Sequence, residues 1–352
     1  MTSPVRVLSA GLGNMGRSHA LAYHRNPGFE IVGLVNRTKV PLPDELQGYE
    51  IAPSFPEALK ALKPDMASIS TYSESHADYA VMAMEQGCHV FVEKPLATTV
   101  ADARRIIDCA VANKRKLVIG YILRHHPSWQ RFIAEARALG GPYVFRMNLN
   151  QQSSGKTWET HKALMNTTAP IVDCGVHYID VMCQVTDAEP REVRGMGLRL
   201  SNEIAPDMYN YGHLQVLFSD GSVGWYEAGW GPMMSEQAFF VKDIISPNGS
   251  ASIVMREGKS DDVDAHTRTS TIRVHKAATG PDGAFLAPDV DHTMAGEPGH
   301  QELCELEQAY MLKAIVEDID LTQHMNDALK SLAVCLAADE SVRTGKPVKL
   351  QG

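Results

Sequence analysis

The chain lacks any surplus of positive charge: 33 Lys and Arg face 42 Asp and Glu, a formal net charge of -9. That balance argues against a nucleic-acid partner and against wide attraction to an anionic membrane. It leaves an anionic substrate open, because a local pocket can oppose the global sign. Cysteine is sparse, with six residues and no CxxC pair. Most lie in apolar runs such as Ser331-Leu332-Ala333-Val334-Cys335-Leu336 and read as buried reduced thiols. No apolar run approaches membrane-spanning length. The first strand begins almost at Met1, which leaves no room for a signal peptide, so a cytoplasmic protein is expected. Internal repeats and low-complexity tracts are also missing. With no HExxH and no cysteine-rich ligand set, no metal is expected.

At 352 residues, two domains are the default expectation. From residue 5 to about 120, strands alternate with amphipathic helices. Val5–Ala10, Phe29–Val35, Met66–Thr71, Cys88–Val92 and Lys116–Gly120 read as strands. Asn14–Arg25, Pro56–Leu62, Ser75–Gln86 and Val100–Ala112 read as helices, with Gly87 placed as a left-handed stop. This alternation implies a parallel sheet with helices on both faces. Beyond about residue 122 strands follow one another: Tyr143–Asn150, Arg191–Arg199, Gly212–Phe218, Ser222–Trp230, Ala238–Ile245, Ala251–Val254 and Thr271–Val274. The hairpin signal Ser219-Asp220-Gly221-Ser222 and the scarcity of intervening helices point to a largely antiparallel sheet. Residues 256 to 299 read as surface loop around one short strand, and two helices close the chain. The expected domains are therefore 1–122, an NAD(P)-binding Rossmann unit, and 123–352, an α/β unit with a large, mostly antiparallel open sheet. The closing helices could return to the first domain.

Gly11-Leu12-Gly13-Asn14-Met15-Gly16 sits directly between the first strand and the first helix, the context a dinucleotide fingerprint requires. Gly11 allows the tight turn, Gly13 lets backbone approach a pyrophosphate, and Gly16 lets the helix pack on the sheet. At the end of the second strand, NAD sites usually carry a carboxylate for the ribose hydroxyls. Here Asn36 is neutral and Arg37 could pair with a 2′-phosphate, a lean towards NADP over NAD.

Together Gly11-Leu-Gly-Asn-Met-Gly16-Arg-Ser-His19, Ile69-Ser-Thr71 with His76, Val92-Glu93-Lys94-Pro95-Leu96-Ala97 and Asp173-Cys-Gly-Val-His177-Tyr-Ile-Asp180 resemble the glucose–fructose oxidoreductase / inositol dehydrogenase (Gfo/Idh/MocA) family. The closing Ala337–Pro347 stretch looks like that family's last helix, so the resemblance covers essentially the whole chain. It implies a Rossmann domain followed by an open-sheet domain, one face of which forms a homodimer or homotetramer contact. It also implies a cis Lys94–Pro95 bond and a cofactor set that adds Thr71, His76 and Glu93 to Gly11, Gly13, Asn14, Met15, Gly16, Asn36 and Arg37. The implied substrate is a sugar, glycoside or cyclitol, oxidised at a secondary alcohol or reduced at the ketone. Lys94, Asp173 and His177 match the family's catalytic lysine, aspartate and histidine. Two departures stand out. Thr167-Thr168-Ala169-Pro170 replaces consecutive glycines, and Pro41-Leu-Pro-Asp-Glu-Leu interrupts a helix that relatives often carry.

Hydride transfer needs a base for the hydroxyl proton and a donor or cation for the developing oxyanion. His177 can exchange a proton near neutrality, Lys94 can stabilise the alkoxide or act as the acid, and Asp173 can orient the imidazole or bind a second hydroxyl. On one helix, their spacing would set Asp173 and His177 on the same face. Arg124, His125 and His126 follow the last Rossmann strand. Gln151, Lys156, Trp158 and His161 fall on the loop after the first strand of the second domain. Of these, Arg124, His125 and Trp158 join Lys94, Asp173 and His177 as expected substrate contacts, suited to a polyhydroxylated ring. Trp225 and Trp230 read as sheet-face or interface residues. Two other functions remain open: an NAD-dependent glycosidase working by transient oxidation with no net redox, and a non-catalytic nucleotide-binding regulator.

Overall fold

Six short runs rich in branched residues form the first sheet of the computed structural model, which describes residues 3–235, 241–254 and 269–350. They are β1 (Val5–Ala10), β2 (Phe29–Val35), β3 (Ile51–Ala52), β4 (Met66–Ile69), β5 (His89–Val92) and β6 (Leu117–Ile119). All pair in parallel, in the order β3-β2-β1-β4-β5-β6. This is the doubly wound order, and its direction reverses between β1 and β4, where a crevice opens beyond the carboxyl ends of the strands. The two-residue β3 carries too little pattern to read from sequence. Helices Asn14–Arg25, Phe55–Leu62, His76–Glu85 and Val100–Asn113 connect the strands. Gly87 takes φ +89, the left-handed stop expected of it.

The chain divides into two compact units, 1–125 with 298–329, and 126–297 with 330–352. The first unit thus takes back a late segment. Its core joins Val7, Leu34, Met66, Phe91 and Val118 to Met311, Ala314 and Leu321. Helix His300–Val316 packs against Asn14–Arg25, and burying these apolar faces together is the driving force for the return.

The second unit is built on nine strands among the described residues: β7 (Val144–Gln152), β8 (Pro190–Leu198), β9 (Tyr211–Phe218), β10 (Val223–Gly231), β11 (Lys242–Ser246), β12 (Gly249–Val254), β13 (Thr271–Lys276), β14 (Val290–Thr293) and β15 (Val348–Lys349). Their order is β14-β13-β12-β11-β7-β10-β9-β8-β15. Only β7 and β10 run parallel among these pairs, so the sheet is mixed but mostly antiparallel. The hairpin at Asp220-Gly221 forms as read, with Gly221 at φ +86. Of the expected strand 238–245, residues 238–240 lie outside the described residues. Residues 256–268 also lie outside them, and the described part of the stretch 256–299 holds two strands where one was expected.

The two faces of this sheet differ. Phe145, Met147, Tyr226 and Ile244 are buried on one, which helices Pro127–Leu139 and Gly175–Val185 contact. The other leaves Val144, Leu217 and Val223 exposed, and with Arg194, Gln215 and Trp225 they line an open groove. Trp225 is therefore a sheet-face residue, as expected. So is Trp230, on the opposite, buried face of β10 with Tyr226, where it stacks on His161, ring centroids 4.4 Å apart.

Candidate active site

The glycine turn follows β1 and sits against the end of β4. A Cβ on Gly11, at φ +87, would lie 2.3 Å from the Ser70 carbonyl oxygen, and one on Gly16 would lie 1.8 Å from that of Gly11. Those two positions exclude any side chain. Gly13 is different: a Cβ there meets nothing within 4 Å among the described residues. Gly13 also caps helix Asn14–Arg25 without a side-chain hydrogen bond, and the first turn has no acid. The N-terminal amides are thus left for a ligand, and the helix end favours an anion. This open cradle fits a dinucleotide pyrophosphate.

The remaining expected cofactor residues divide by how free they are. Arg37 is exposed. Asn36 Oδ1 accepts the Leu12 amide at 3.0 Å and its Nδ2 donates to Thr38 O at 2.7 Å. That amide secures the glycine turn before it can serve a ribose. Asn14 Oδ1 accepts from Arg17 at 2.9 Å, and Met15 is half-buried beside it. Thr71 Oγ1 pairs with Ser75 Oγ at 2.7 Å. His76 is buried, and both ring nitrogens face main-chain carbonyls, Nδ1 at Pro95 (2.9 Å) and Nε2 at Thr71 (3.0 Å). It ties two loops at the strand ends together instead of offering a nitrogen to the cofactor. Burial pushes its pKa below the ordinary value.

Lys94 follows β5 at the same carboxyl edge, half-buried, with a cis bond to Pro95 as expected. Glu93 turns inward rather than to a cofactor. Its Oε1 lies 2.6 Å from His19 Nε2 and its Oε2 accepts the Lys94 amide at 3.1 Å. Burial pushes the Glu93 carboxyl up, but the hydrogen bond from His19, with the charge and amide of Lys94, outweighs it and holds the group below its usual value.

Arg124 is committed to Asp327, Nη2 to Oδ2 at 2.8 Å. His125 packs on the Tyr310 ring, centroids 4.9 Å apart, and burial with the Arg124 charge pushes its pKa down to about 4.

In the second unit, Asp173 ends helix Pro170–Asp173 and His177 lies in helix Gly175–Val185, so the expected single helix is two segments joined at Cys174. Cys174 keeps right-handed helical dihedrals, φ -89 and ψ -32, and the four-residue spacing survives the joint. From Ala169 to Cys183, only Asp173 and His177 are not buried. Gly175 lets the turn sit close: its Cβ would be 3.1 Å from Cys335 Sγ and 3.3 Å from the Tyr226 ring.

Lys156, Trp158 and His161 lie on a helix, Gly155–Leu164, and not on the loop expected. Trp158 is buried, with Lys162 Nζ 5.7 Å from its ring centroid, so its ring is covered rather than presented for stacking. Gln151, at the end of β7, accepts from Trp230 Nε1 at 2.7 Å. The sequence reading gave no role to Glu307 or Gln308, which approach His19. Their only signal was their place inside an otherwise apolar helical face.

A model of the oxidoreductase family with an NAD-binding Rossmann fold matches residues 5–121, and one of the GFO/IDH/MocA C-terminal domain matches residues 131–241. An inositol 2-dehydrogenase of Acidothermus cellulolyticus is 30% identical over 149 residues, 42% of either chain. A D-glucoside 3-dehydrogenase of Escherichia coli is 29% identical over 199 residues, 52% of this chain and 54% of that one. The chain spans about half the length of these curated relatives. Among solved structures, GenD2 from gentamicin A biosynthesis, in complex with NAD, shares the fold with TM-score 0.77 at 20% identity, over 100% of this chain and 98% of that one. No helix among the described residues is long and apolar enough to cross a membrane.

Proposed function

Since the chain belongs to the Gfo/Idh/MocA family of NAD-binding oxidoreductases, we propose that it moves hydride between NAD(P) and a secondary alcohol or ketone of a sugar, glycoside or cyclitol. The observation that carries this reading is that Asp173 and His177 alone stay half-buried on an otherwise buried helical stretch. Two ionisable side chains one helical turn apart, within reach of a substrate on a stretch that is otherwise buried, are the kind of grouping that proton transfer needs. The names of the inositol and glucoside dehydrogenases support the substrate class.

Bound nicotinamide would supply the hydride acceptor at C4. Gly11, Gly13 and the amides of residues 14 to 16 would hold the pyrophosphate, with Thr71 beside them. In the oxidative direction His177 removes the hydroxyl proton as the C–H bond breaks, and the carbonyl forms. The Lys94 ammonium faces the oxygen while it carries negative charge, and Asp173 orients the imidazole or takes a neighbouring hydroxyl. In reduction the proton returns from His177. The exposed Arg37 and the lack of a carboxylate at position 36 favour NADP over NAD.

The cytoplasm is the compartment this reading assigns, in keeping with the free cysteines at 88, 109, 174, 183, 304 and 335. The exposed Val144, Leu217 and Val223 favour a homodimer or homotetramer formed through the open sheet face. The deciding experiment screens cyclitols, monosaccharides and glycosides with NAD and NADP, reading NAD(P)H absorbance and released sugar together. Net reduction of cofactor by a polyol supports the proposal. Sugar release without net reduction, or silence with intact dinucleotide binding, overturns it.

A further inference from the structure

Below the Lys94 turn lies a buried polar chain that the chemistry above does not use. Tyr23 Oη donates to Gln308 Oε1 at 2.7 Å, which directs the Gln308 amide nitrogen at His19 Nδ1, 3.0 Å away. His19 Nδ1 is then the accepting nitrogen, and Nε2 carries the proton that meets Glu93 Oε1 at 2.6 Å. The imidazole sits edge-on to Phe91, centroids 4.7 Å apart. Glu93 Oε2 completes the chain by accepting the backbone amide of Lys94. Tyr23, His19, Gln308 and Glu307 are all fully buried.

Glu307 is the odd member. Ligand atoms of His19, Glu93 and Glu307 lie within 4.8 Å of one another, yet neither Glu307 oxygen has a hydrogen-bond partner among the described residues. Burial, then the charge of Glu93, pushes its pKa well above the usual value, so both oppose its ionisation. A second anion beside Glu93 would oppose the first. The arrangement therefore favours keeping the negative charge on Glu93, which His19 and the Lys94 amide hold.

We propose that His19 is a positioning residue for Lys94, acting through Glu93: it fixes the carboxylate that both anchors the Lys94 amide and sets the electrostatic field at the Lys94 ammonium. The inference rests on the reading of Lys94 as the oxyanion partner. The titratable groups that act on this carboxylate are His19 and Tyr23 from the first helix, Glu307 from helix His300–Val316, His76 from its own helix, and Lys94 itself. Glu93 favours the ammonium form of Lys94, so removing its charge should let Lys94 deprotonate at lower pH.

The test uses the whole enzyme with its best substrate. His19→Leu is expected to lower kcat about tenfold while the KM for dinucleotide stays within about twofold. His19→Gln, which keeps a donor, should recover most of the loss. Glu93→Gln, a near-isostere that keeps the fold if His19→Leu does not, should move the basic limb of the kcat profile to lower pH. Normal kcat in His19→Leu, an unmoved limb in Glu93→Gln, or equal loss in both His19 variants together with weakened dinucleotide binding would overturn the proposal. So would one tightly held divalent ion per chain, found by elemental analysis, whose removal reproduces His19→Leu. Lys94→Ala separates the two claims: full turnover there removes the reading of Lys94, whereas lost turnover there with unaffected His19 variants removes only this inference.

Discussion

Arg124 and Asp327 form an ion pair at 2.8 Å, with side-chain exposures of 15% and 3%. Gln323 Nε2 donates to the other Asp327 oxygen at 2.7 Å. The short 3-10 helix Ile122–His125, which follows β6, and helix Thr322–Thr344 are thereby fastened within one unit. Removing one partner leaves a buried charge uncompensated, which costs about 3 kcal/mol or more. Arg124→Met should lower the urea unfolding free energy by about that amount, and adding Asp327→Leu should restore most of it. A loss under about 1 kcal/mol in Arg124→Met would show that the pair contributes no more than a surface contact.

The glycine turn makes a contrasting pair of expectations. Gly16→Ala drives a methyl into the Gly11 carbonyl, so it should lower Tm markedly. Gly13→Ala has room and should fold with Tm within about 2 °C of the parent, because surface changes of this kind cost little. Its methyl would nevertheless stand where backbone must approach the pyrophosphate, and dinucleotide Kd should rise at least about tenfold. Isothermal titration with both cofactors checks this. Unchanged affinity in Gly13→Ala would place the phosphates elsewhere.

Local pattern made much of this architecture readable. β1, β2 and helix Asn14–Arg25 begin and end where their residues say, because branched runs and a glycine turn mark their edges. The mixed sheet followed from strands spaced by turns, although β3 and β14 are too short to announce themselves. The family motifs identified the glycine turn, the Lys94 turn and the Asp173–His177 stretch. Long-range polar pairing was what sequence concealed. His76 and Glu93 were expected to face the cofactor from the family resemblance, and Asn36 and Arg124 to face ligands from their places after strands. Their partners, Thr71 and Pro95 carbonyls, His19, Asp327 and the Leu12 amide, depend on folding. Trp158 misled for a similar reason, since an aromatic side chain carries no sign of whether it will be covered.

Buried histidines should make the protein sensitive to mild acid. His324 Nε2 accepts the Ile119 amide at 2.8 Å, and His89 Nδ1 accepts that of Lys116 at 2.9 Å. Protonating either nitrogen breaks its bond. Burial, then the charges of Arg124 and His125, hold His324 well below its ordinary pKa. Burial, Arg115 and Lys116 push His89 down to about 4, and His125 also falls to about 4. The unfolded chain takes up these protons near pH 6.5, whereas the folded chain resists. Stability is therefore full above about pH 6.5 and declines as pH falls towards 4. The slope for a fully buried histidine reaches about 1.4 kcal/mol per pH unit, and the half-buried His89 and His125 add less. Urea midpoints at pH 7, 6 and 5 should fall in that order; equal midpoints would contradict it.

The proposed preference for NADP rests on Arg37. An exposed guanidinium at the end of β2, with no carboxylate beside it at position 36, suits a 2′-phosphate. Arg37→Ala should raise the KM for NADP about tenfold and leave that for NAD within twofold. A parent enzyme that turns over only with NAD, or a variant with unchanged KM for NADP, would remove Arg37 from the assignment.

His177 and Lys94 should fail differently from the residues that hold the cofactor. A general base contributes about 10²–10⁴ in rate, so His177→Ala should lower kcat by that factor while dinucleotide Kd barely changes. In the parent, alcohol oxidation should weaken as pH drops below the histidine range, because the base is already protonated there. Ketone reduction should respond in the opposite sense, since the same proton is then supplied rather than removed. Lys94→Ala should also lose kcat by orders of magnitude, but its loss should track oxyanion charge: it should shrink for substrates whose alcohol is more acidic. Stopped-flow measurement of the hydride step in each variant separates this from slow product release. Near-normal hydride transfer in both variants would leave the accessibility of His177 and the placement of Lys94 without a chemical purpose.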